Sequence, residues 1–339
     1  MDYIKTPLWK KMLKGINLYK FKNYLLWQKR NRYNEKNKTD RHFDLFREKY
    51  LVFSDKVYYS FQELVDNPPV ADAYIAGSDQ IWNFSYASLY NVRNLIQAYF
   101  LNFGNNQIRR IAYAASFGTP SIKEEYIEEI NRLLLKFEYV SVREKSGVSI
   151  CKKCGITSAE WMPDPTMLLL PDDYRRIYKN ATKLKQEKKY CLLYLLGNTC
   201  QFSISNLYIW AAERDLEVVY ISGNSQYDNY KKIYATVSDW LYLIDNAEYV
   251  VSNSFHATVF ALLFQKNFCV IPLVKEMHGM NERLVSLFDI FEISPRFMTN
   301  NYCDLFDTPI NWDFVSKKFE KIHSENNLLK VLNNRKDEN

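Results

Sequence analysis

The sequence predicts an α/β protein with two doubly wound domains, and three observations support this fold class. From about residue 70 onward, short β-rich runs that end in small or polar residues alternate with helical patterns, an alternation typical of parallel sheets. The 339 residues exceed the usual size of one domain. A polar and charged stretch at 171–189 then divides the runs into two series.

The N-terminal series contains five predicted strands. In sequence order the runs are Ala73–Ala76, Tyr99–Asn102, Arg110–Ala114, Tyr139–Val142 and a less regular one at Ala159–Met162. We place the first domain at residues 1–170 on this basis.

The C-terminal series starts afresh after the charged stretch. Its runs are Tyr190–Leu196, Leu216–Ser222, Glu248–Ser252 and Phe268–Leu273, and its helical patterns cover 201–214, 229–245, 257–265 and 281–291. They predict a second doubly wound domain at 190–311. The remaining residues, 312–339, contain an amphipathic pattern from Trp312 to about Asn333, which predicts one helix that packs back across the domains, followed by a tail.

Composition and charge exclude several classes of protein. A 47% hydrophobic chain with 9 Gly and 10 Pro is typical of a folded protein rather than a disordered or fibrous one. The net charge of +6 is mild, so we expect an anionic small substrate and no nucleic acid. The six cysteines lack regular spacing and indicate reduced thiols. Cys151 and Cys154 have no second pair and no nearby histidine, so we expect no metal.

The expected location is the cytoplasm. No run of about 18 uncharged apolar residues exists, and the N-terminus lacks the apolar segment of a signal peptide. Residues 5–32 carry nine Lys or Arg and no acid, and they place Trp9, Met12 and Ile16 at helical spacing. This basic amphipathic face fits either peripheral contact with the inner face of the membrane or a helix that covers a domain flank.

Polar side chains follow the predicted strand Ala73–Ala76. Because open α/β sheets bind ligands at the carboxyl ends of their strands, Asp79, Gln80 and Asn83 are candidates for contacts with sugar hydroxyls. Trp82 in the same segment can stack on a sugar ring. A capped turn with Trp82 in the core is the alternative interpretation.

A second candidate site lies between the strand that ends near Ser252 and the apolar helix that follows. Unpaired N–H groups at a helix start bind anions, and Asn253 and Ser254 lie at this position. His256 is then beside the anion, where an imidazole can exchange a proton near neutral pH. A capping or core histidine is the alternative.

Arg143 follows the run Tyr139–Val142 and marks a third position. The planar donors of arginine match the oxygens of a carboxylate or phosphate, while a solvated charge cluster is the rival interpretation. Asp164 and Ser116 end two further runs and would line the same rim.

Five segments together resemble the polysaccharide pyruvyl transferase family, in the family's order. They are residues 71–83, 112–118, 140–146, 164–166 and 246–256. The string Gly77-Ser-Asp-Gln-Ile-Trp-Asn83 with the downstream Asn253-Ser-Phe-His256 is the most specific part of the resemblance, which extends over roughly residues 40–295. It implies two Rossmann-like domains that face each other across a cleft, as in glycosyltransferases of the B type, with the acceptor on the N-terminal side and the donor on the C-terminal side.

The resemblance also implies an activity. Pyruvate would be transferred from phosphoenolpyruvate to a sugar, or to a lipid-linked oligosaccharide, as a ketal during synthesis of capsule, exopolysaccharide or cell-wall polymers, without a cofactor. By the resemblance, His256 donates the proton and Arg143 binds the donor, with Asn253 and Ser254 beside it. From its position at a strand end, we predict that Asp79 positions or deprotonates the acceptor hydroxyl. The predicted acceptor-binding residues are Gln80, Trp82, Asn83 and Ser116.

The chain departs from the family pattern in two places. Some members carry an arginine two residues before the active-site histidine, where this chain has Ser254. Arg283, at the start of a helical pattern, is the best substitute for that second cation, followed by Lys275. Relatives also commonly open with a β-strand and an Asn-Tyr-Gly type loop that forms part of the acceptor side. Residues 1–40 show neither.

Two other functions stay open at the level of sequence. A nucleotide-sugar-dependent glycosyltransferase can use the same architecture, because fold does not fix chemistry, and it would need a pocket for a base and ribose in the second domain. A non-catalytic carbohydrate-binding relative is the other alternative, and the missing opening strand favours it.

Overall fold

The computed structural model describes residues 40–84, 93–179, 184, 186–197, 202–222, 230–298, 303–325 and 327–333, which form two α/β units. Each unit is built on a four-stranded parallel sheet, so the predicted fold class is confirmed. Within the described ranges, no helix is long and apolar enough to cross a membrane. The predicted basic amphipathic face at 5–32 lies outside them.

The first sheet comprises β1 (Ala73–Ala76), β2 (Arg109–Ala115), β3 (Tyr139–Val142) and β4 (Glu160–Trp161). These strands are parallel and pair in sequence order. Strand β2 is buried on both faces, since Ile111, Ala112 and Ala114 are 0% exposed, as expected when connecting helices cover a parallel sheet. The helices of this unit are α1 (Phe43–Tyr50), α2 (Phe61–Asp66), α3 (Arg93–Tyr99), α4 (Ile127–Leu134) and α5 (Lys145–Lys153).

The second sheet comprises β5 (Tyr190–Leu195), β6 (Glu217–Ser222), β7 (Tyr249–Ser252) and β8 (Asn267–Val270). Its order is β6-β5-β7-β8, with all neighbours parallel. The strand order therefore reverses between β5 and β7, which is where doubly wound sheets bind ligands. The helices from the charged boundary stretch onward are α6 (Pro171–Lys179), α7 (Ile204–Ala212), α8 (Val237–Asp245), α9 (Phe255–Leu263), α10 (Glu282–Phe291), α11 (Cys303–Asp307), α12 (Trp312–Ser324) and α13 (Asn327–Asn333).

The boundary stretch at 171–189 is not only a linker, because it contains α6. The buried rings of Tyr174 and Tyr178 pack this helix into the core of the second unit. Arg175, on the same helix, forms a bidentate ion pair with Asp245. Its Nε and Nη2 donate to the two carboxylate oxygens at 2.8 and 3.0 Å. The chain thus crosses to the second unit before β5 begins.

Two predicted elements of the sheets and their connections differ from the structure. The run Tyr99–Asn102 is not a strand: it forms the end of α3, where the buried Phe100 bonds back to the carbonyl of Ile96 and Leu101 adopts a positive φ of 51°. A four-residue apolar run does not distinguish a buried helix end from a strand. The helix expected at 229–245 begins only at Val237, because Thr236 and Asp239 form a capping box there.

The predicted C-terminal helix is two helices, α12 and α13, and it does pack back across the units. Val315 and Phe319 bury α12 in the core of the second unit. Arg109, at the start of β2, donates to the carbonyls of Val331 and Leu332 at the end of α13, at 2.7 and 2.8 Å. The last helix therefore returns to the amino end of the first sheet.

We expect Arg109→Ala to release α13 without unfolding the sheets. The variant loses two charge-assisted hydrogen bonds, a contribution of about 1–3 kcal/mol to the docking of this helix. Hydrogen exchange should show faster exchange in residues 327–333 and little change in β5 or β7. Arg132→Ala, an exposed arginine on α4, serves as the control. Unchanged exchange in 327–333 would contradict this role of Arg109.

Candidate active site

The carboxyl ends of the two sheets bring together charged side chains from both units. Arg143 follows β3, Asp79 lies three residues beyond β1, and Asp164 follows β4. His256 lies in the first turn of α9 and Arg283 in the first turn of α10. The structure thus collects at one place the residues that the sequence suggested separately.

Arg143 is the centre of this cluster. Its side chain is 2% exposed, and its guanidinium donates to Asp164 at 2.7 Å and to Asp79 at 3.3 Å, with Glu144 at 3.5 Å. One face lies 4.6 Å from the centroid of the Phe255 ring, a cation–π contact that bridges the two units. Burial alone would lower the pKa of Arg143, but the neighbouring negative charges outweigh it and raise that pKa.

Asp164 is a buried carboxylate that several hydrogen bonds hold in position. Its side chain is 1% exposed, and it accepts from the backbone N–H and hydroxyl of Thr166 at 3.0 and 2.7 Å as well as from Arg143. Its Oδ2 lies 3.7 Å from Nε2 of His256. Burial would raise the pKa of Asp164, yet His256 and Arg143 together hold it far below its usual range.

Glu144 is the residue that sequence reasoning missed. Its side chain is 1% exposed, it accepts a hydrogen bond from the hydroxyl of Ser116, and its Oε2 has no hydrogen-bond partner among the described residues. Burial raises the pKa of Glu144, with Arg143 and Ser116 opposing part of that rise. The only signal was its place beside Arg143 in the 140–146 string. That signal is weak, because a charged pair at a strand end is usually solvated.

The second unit holds His256 through its capping residues. Ser254 is the N-cap of α9 and accepts from the N–H of Ala257 at 3.3 Å. The amide of Asn253 bonds to both the N–H and the C=O of Leu196, at 2.8 and 2.7 Å, and so joins the ends of β5 and β7 at the reversal of strand order. Both side chains are buried and bond to protein backbone, while their predicted contact with the donor stays a prediction. His256 is 38% exposed and lies against Asp164 of the first unit.

Arg283 supplies a second cation to the same place. Its Nη1 lies 4.0 Å from Oδ1 of Asp79, and its guanidinium lies 5.8 Å from the centroid of the Phe255 ring that also contacts Arg143. The side chain of Lys275, the other candidate, lies outside the described residues. Asp79 itself is 66% exposed. Arg143 and His256 lower its pKa although partial burial acts in the opposite direction.

Two predicted acceptor contacts are wrong. Trp82 is 0% exposed and stacks on Phe100 with a centroid separation of 4.6 Å, so its ring belongs to the core and cannot meet a sugar. Ser116 is also 0% exposed, and its hydroxyl is committed to Glu144. The stacking interpretation failed because the apolar neighbours of Trp82 come from distant parts of the chain.

Of the remaining acceptor candidates, Asn83 is buried, at 3% exposure, and Gln80 lies near a loop that leads to a cavity between the units. Gln80 is partly exposed and accepts from the amide of Asn83 at 2.8 Å. A side chain at Gly118 would approach both of them, at 2.3 and 2.7 Å. Two residues further on, Pro120 lines a cavity of about 380 Å³. The other residues that line it are Pro272, His278, Gly279, Asn281, Glu282, Val285 and Phe297.

Three further features concern the loop after β1, metal binding and the cysteines. Gly77 allows the loop that carries Asp79 to pass β2, since a Cβ at this position would lie 2.1 Å from the carbonyl oxygen of Tyr113. The described part of the chain contains no group of three or more His, Cys, Asp or Glu side chains that could hold a metal ion. Burial raises the pKa of Cys151 and Cys154 to about 12 and about 11, respectively.

The comparison with protein families is decisive for identity. The model of the family described as polysaccharide pyruvyl transferase matches residues 8–273. The chain belongs to the polysaccharide pyruvyl transferase family. This is a family of transferases, and the match includes Asp79, Arg143, Asp164 and His256, whereas Arg283 lies beyond it.

Comparisons with individual proteins add little. No curated protein matches the chain. Among solved structures, the glycosyltransferase SnogD from Streptomyces nogalater is similar over 64% of this chain and 62% of its own, with 13% identity and a TM-score of 0.31. This chain therefore spans less than two thirds of that structure's length.

We expect Asp164→Asn to destabilise the protein by about 3–5 kcal/mol, because it leaves Arg143 buried without its main counter-charge. Because the pKa of Asp164 is lowered by folding, its stabilisation is present above the ordinary carboxyl pKa of about 3.9 and is lost as the pH falls through the folded-state value. The loss in urea unfolding should thus be full at pH 7 and shrink below about pH 4. The exposed Asp172→Asn should cost less than about 0.5 kcal/mol, and an equal cost for both variants would contradict this account.

Proposed function

We propose that this transferase moves the pyruvyl group of phosphoenolpyruvate onto a sugar as a ketal during synthesis of a surface polysaccharide, on the cytoplasmic side and without a cofactor. The observation that carries the proposal is the meeting of one imidazole, His256, with two buried guanidinium groups, Arg143 and Arg283. Membership of the polysaccharide pyruvyl transferase family supports pyruvyl transfer in particular.

The charge distribution suits a donor with two anionic groups. Phosphoenolpyruvate carries a carboxylate and a phosphate, and arginine matches both with parallel N–H donors. The amino end of α9 adds the partial positive charge of a helix of nine residues. We assign Arg143 and Arg283 to these groups, with Ser254 and Asn253 shaping the helix start beside them.

The proposed reaction begins with proton transfer from His256 to the methylene carbon of the donor. The central carbon becomes electrophilic and one sugar hydroxyl adds to it, giving its proton to Asp79. A second hydroxyl of the same sugar then forms a bond to that carbon, the carbon–oxygen bond to phosphate breaks, and phosphate leaves with the proton that Asp79 accepted from the first hydroxyl. The second hydroxyl returns its proton to His256, so the enzyme is regenerated.

Asp164 supports this chemistry without touching the reacting atoms. Its ionised carboxylate lies 3.7 Å from the imidazole of His256 and binds Arg143 at 2.7 Å. It therefore fixes the relative positions of the proton donor and the donor-binding cation, and its charge balances the imidazolium.

A binding measurement tests the donor assignment. Calorimetry should show saturable binding of phosphoenolpyruvate to the wild type, and Arg283→Ala should weaken it by about 10- to 100-fold through loss of a charge-assisted contact. His256→Asn should keep this binding but reduce phosphate release with a panel of sugars by about 10²–10⁴-fold. The exposed residues provide the controls Arg47→Ala and His42→Asn. Binding of a nucleotide sugar instead of phosphoenolpyruvate would overturn the proposal.

We place the acceptor sugar between Gln80 and the cavity of about 380 Å³. The loop that bears Gly118 and Pro120 connects them, and Glu282 on the far wall precedes Arg283. A pocket at a domain interface with apolar walls and few polar groups is typical of small-ligand sites, and Glu282 can accept hydrogen bonds from sugar hydroxyls.

Kinetics with a responsive sugar tests this placement. Gln80→Ala and Glu282→Gln should each raise the acceptor KM by about tenfold, through one lost hydrogen bond, and leave the KM for phosphoenolpyruvate unchanged. Glu292→Gln, an exposed change just beyond the other end of α10, is the matched control. If the donor KM rises instead, these residues belong to the donor side.

A further inference from the structure

The carboxylate of Asp79 lies at the position that the two donor-binding cations share. Its Oδ1 is 3.3 Å from Nη2 of Arg143 and 4.0 Å from Nη1 of Arg283. Both guanidinium groups also face the ring of Phe255. An anionic group of the donor that binds both arginines therefore has to approach the place where this carboxylate lies.

The three carboxylates around Arg143 are not equivalent. Asp164 and Glu144 are each 1% exposed, so moving either would leave a charge buried without compensation. Asp79 is 66% exposed and can exchange its ion pair for water at small cost. Of these three, Asp79 is the one that a ligand can displace.

Hydrogen bonds fix the backbone of Asp79, while its side chain is exposed. Its carbonyl oxygen accepts hydrogen bonds from the N–H groups of Ile81 and Ser116, at 2.6 and 3.2 Å. Rotation about the side-chain bonds alone is then sufficient to move the carboxylate away from the arginines. Such rotamer changes of an exposed side chain are fast on the timescale of turnover.

We propose that Asp79 is an internal anion that competes with the donor for Arg143 and Arg283 and is released toward the acceptor when the donor binds. This inference rests on the proposed function and adds an order to it. Until the donor displaces it, the carboxylate of Asp79 is paired with cations and is a poor acceptor for a hydroxyl proton. The donor therefore binds first, and the base for the acceptor is formed only in the complex with the donor.

The local charge balance also favours release of Asp79 when the donor binds. Two arginines face three carboxyl groups in this cluster while Asp79 remains in place, and the carboxylate of Asp79 repels a multiply charged anion. Once Asp79 has rotated away, the same two arginines face only the two buried carboxyl groups. Repulsion between the donor and Asp79 thus keeps the carboxylate oriented away from the arginines.

Titration of phosphoenolpyruvate and of inorganic phosphate into the wild type and Asp79→Asn tests the inference. The amide keeps the shape of the side chain but lacks its charge, so both anions should bind about tenfold more tightly. With an acceptor sugar present, kcat should fall although the donor binds better. Asp79→Glu keeps the charge and should not tighten binding. Asp72→Asn removes the same charge at the opposite end of β1 and is the matched control.

A double-mutant cycle identifies the cations involved. In the Arg283→Ala background, Asp79→Asn should increase the affinity for phosphoenolpyruvate by a smaller factor, because one of the two partners of the carboxylate is already missing. Thermal unfolding of each variant confirms that the fold is retained. Phosphoenolpyruvate binding that is equal in wild type and Asp79→Asn, or weaker in the variant, would overturn the competition while leaving the proposed function intact. If neither protein binds phosphoenolpyruvate, the proposed function fails; tighter phosphate binding by the variant would still support an internal anion.

Discussion

The burial of one guanidinium between two sheets is the constraint on which the rest of the site depends. Arg143 is almost inaccessible to solvent and so requires counter-charges within the protein, which Asp164 and Glu144 supply. Meeting that need brings the ends of β3 and β4 together and places Asp164 against His256 of the other unit. The counter-charge that the buried Arg143 requires thus also contacts the histidine of the other unit.

The parallel topology explains why these residues can meet. The polar and charged side chains of the site follow the carboxyl ends of the strands. Hydrogen bonds to neighbouring strands hold the turns that carry them. Asn253 joins the ends of β5 and β7 where the strand order reverses, and Ser254 caps the helix that carries His256. The contact of Arg143 with the Phe255 ring then connects the two units at the centre of the site. The backbone hydrogen bonds of Asn253 and Ser254 therefore help to determine where His256 lies.

Local patterns were sufficient for most of the fold and for the residues at strand ends. The alternating runs predicted all eight strands of the two sheets. The positions of Asp79, Arg143 and His256 followed from the rule that sites lie at the carboxyl ends of strands. Trp82 and Ser116 were misassigned, because whether a polar or aromatic side chain at a strand end is exposed depends on helices far away in the sequence. Glu144 was missed because its place beside Arg143 was the one local signal, and its burial depends on side chains such as Ser116 that are distant in the sequence.

The serine at position 254 shows how the site can differ from family members that carry an arginine there. Ser254 caps α9 through its hydroxyl, which an arginine side chain cannot do in the same way. A second cation near the site is Arg283, from the start of α10, whose guanidinium lies 5.8 Å from the centroid of the Phe255 ring, while that of Arg143 lies 4.6 Å from it. One aromatic ring therefore contacts two cations from different units. Because Arg283 is distant from position 256 in the sequence, a motif search around His256 alone would not find it.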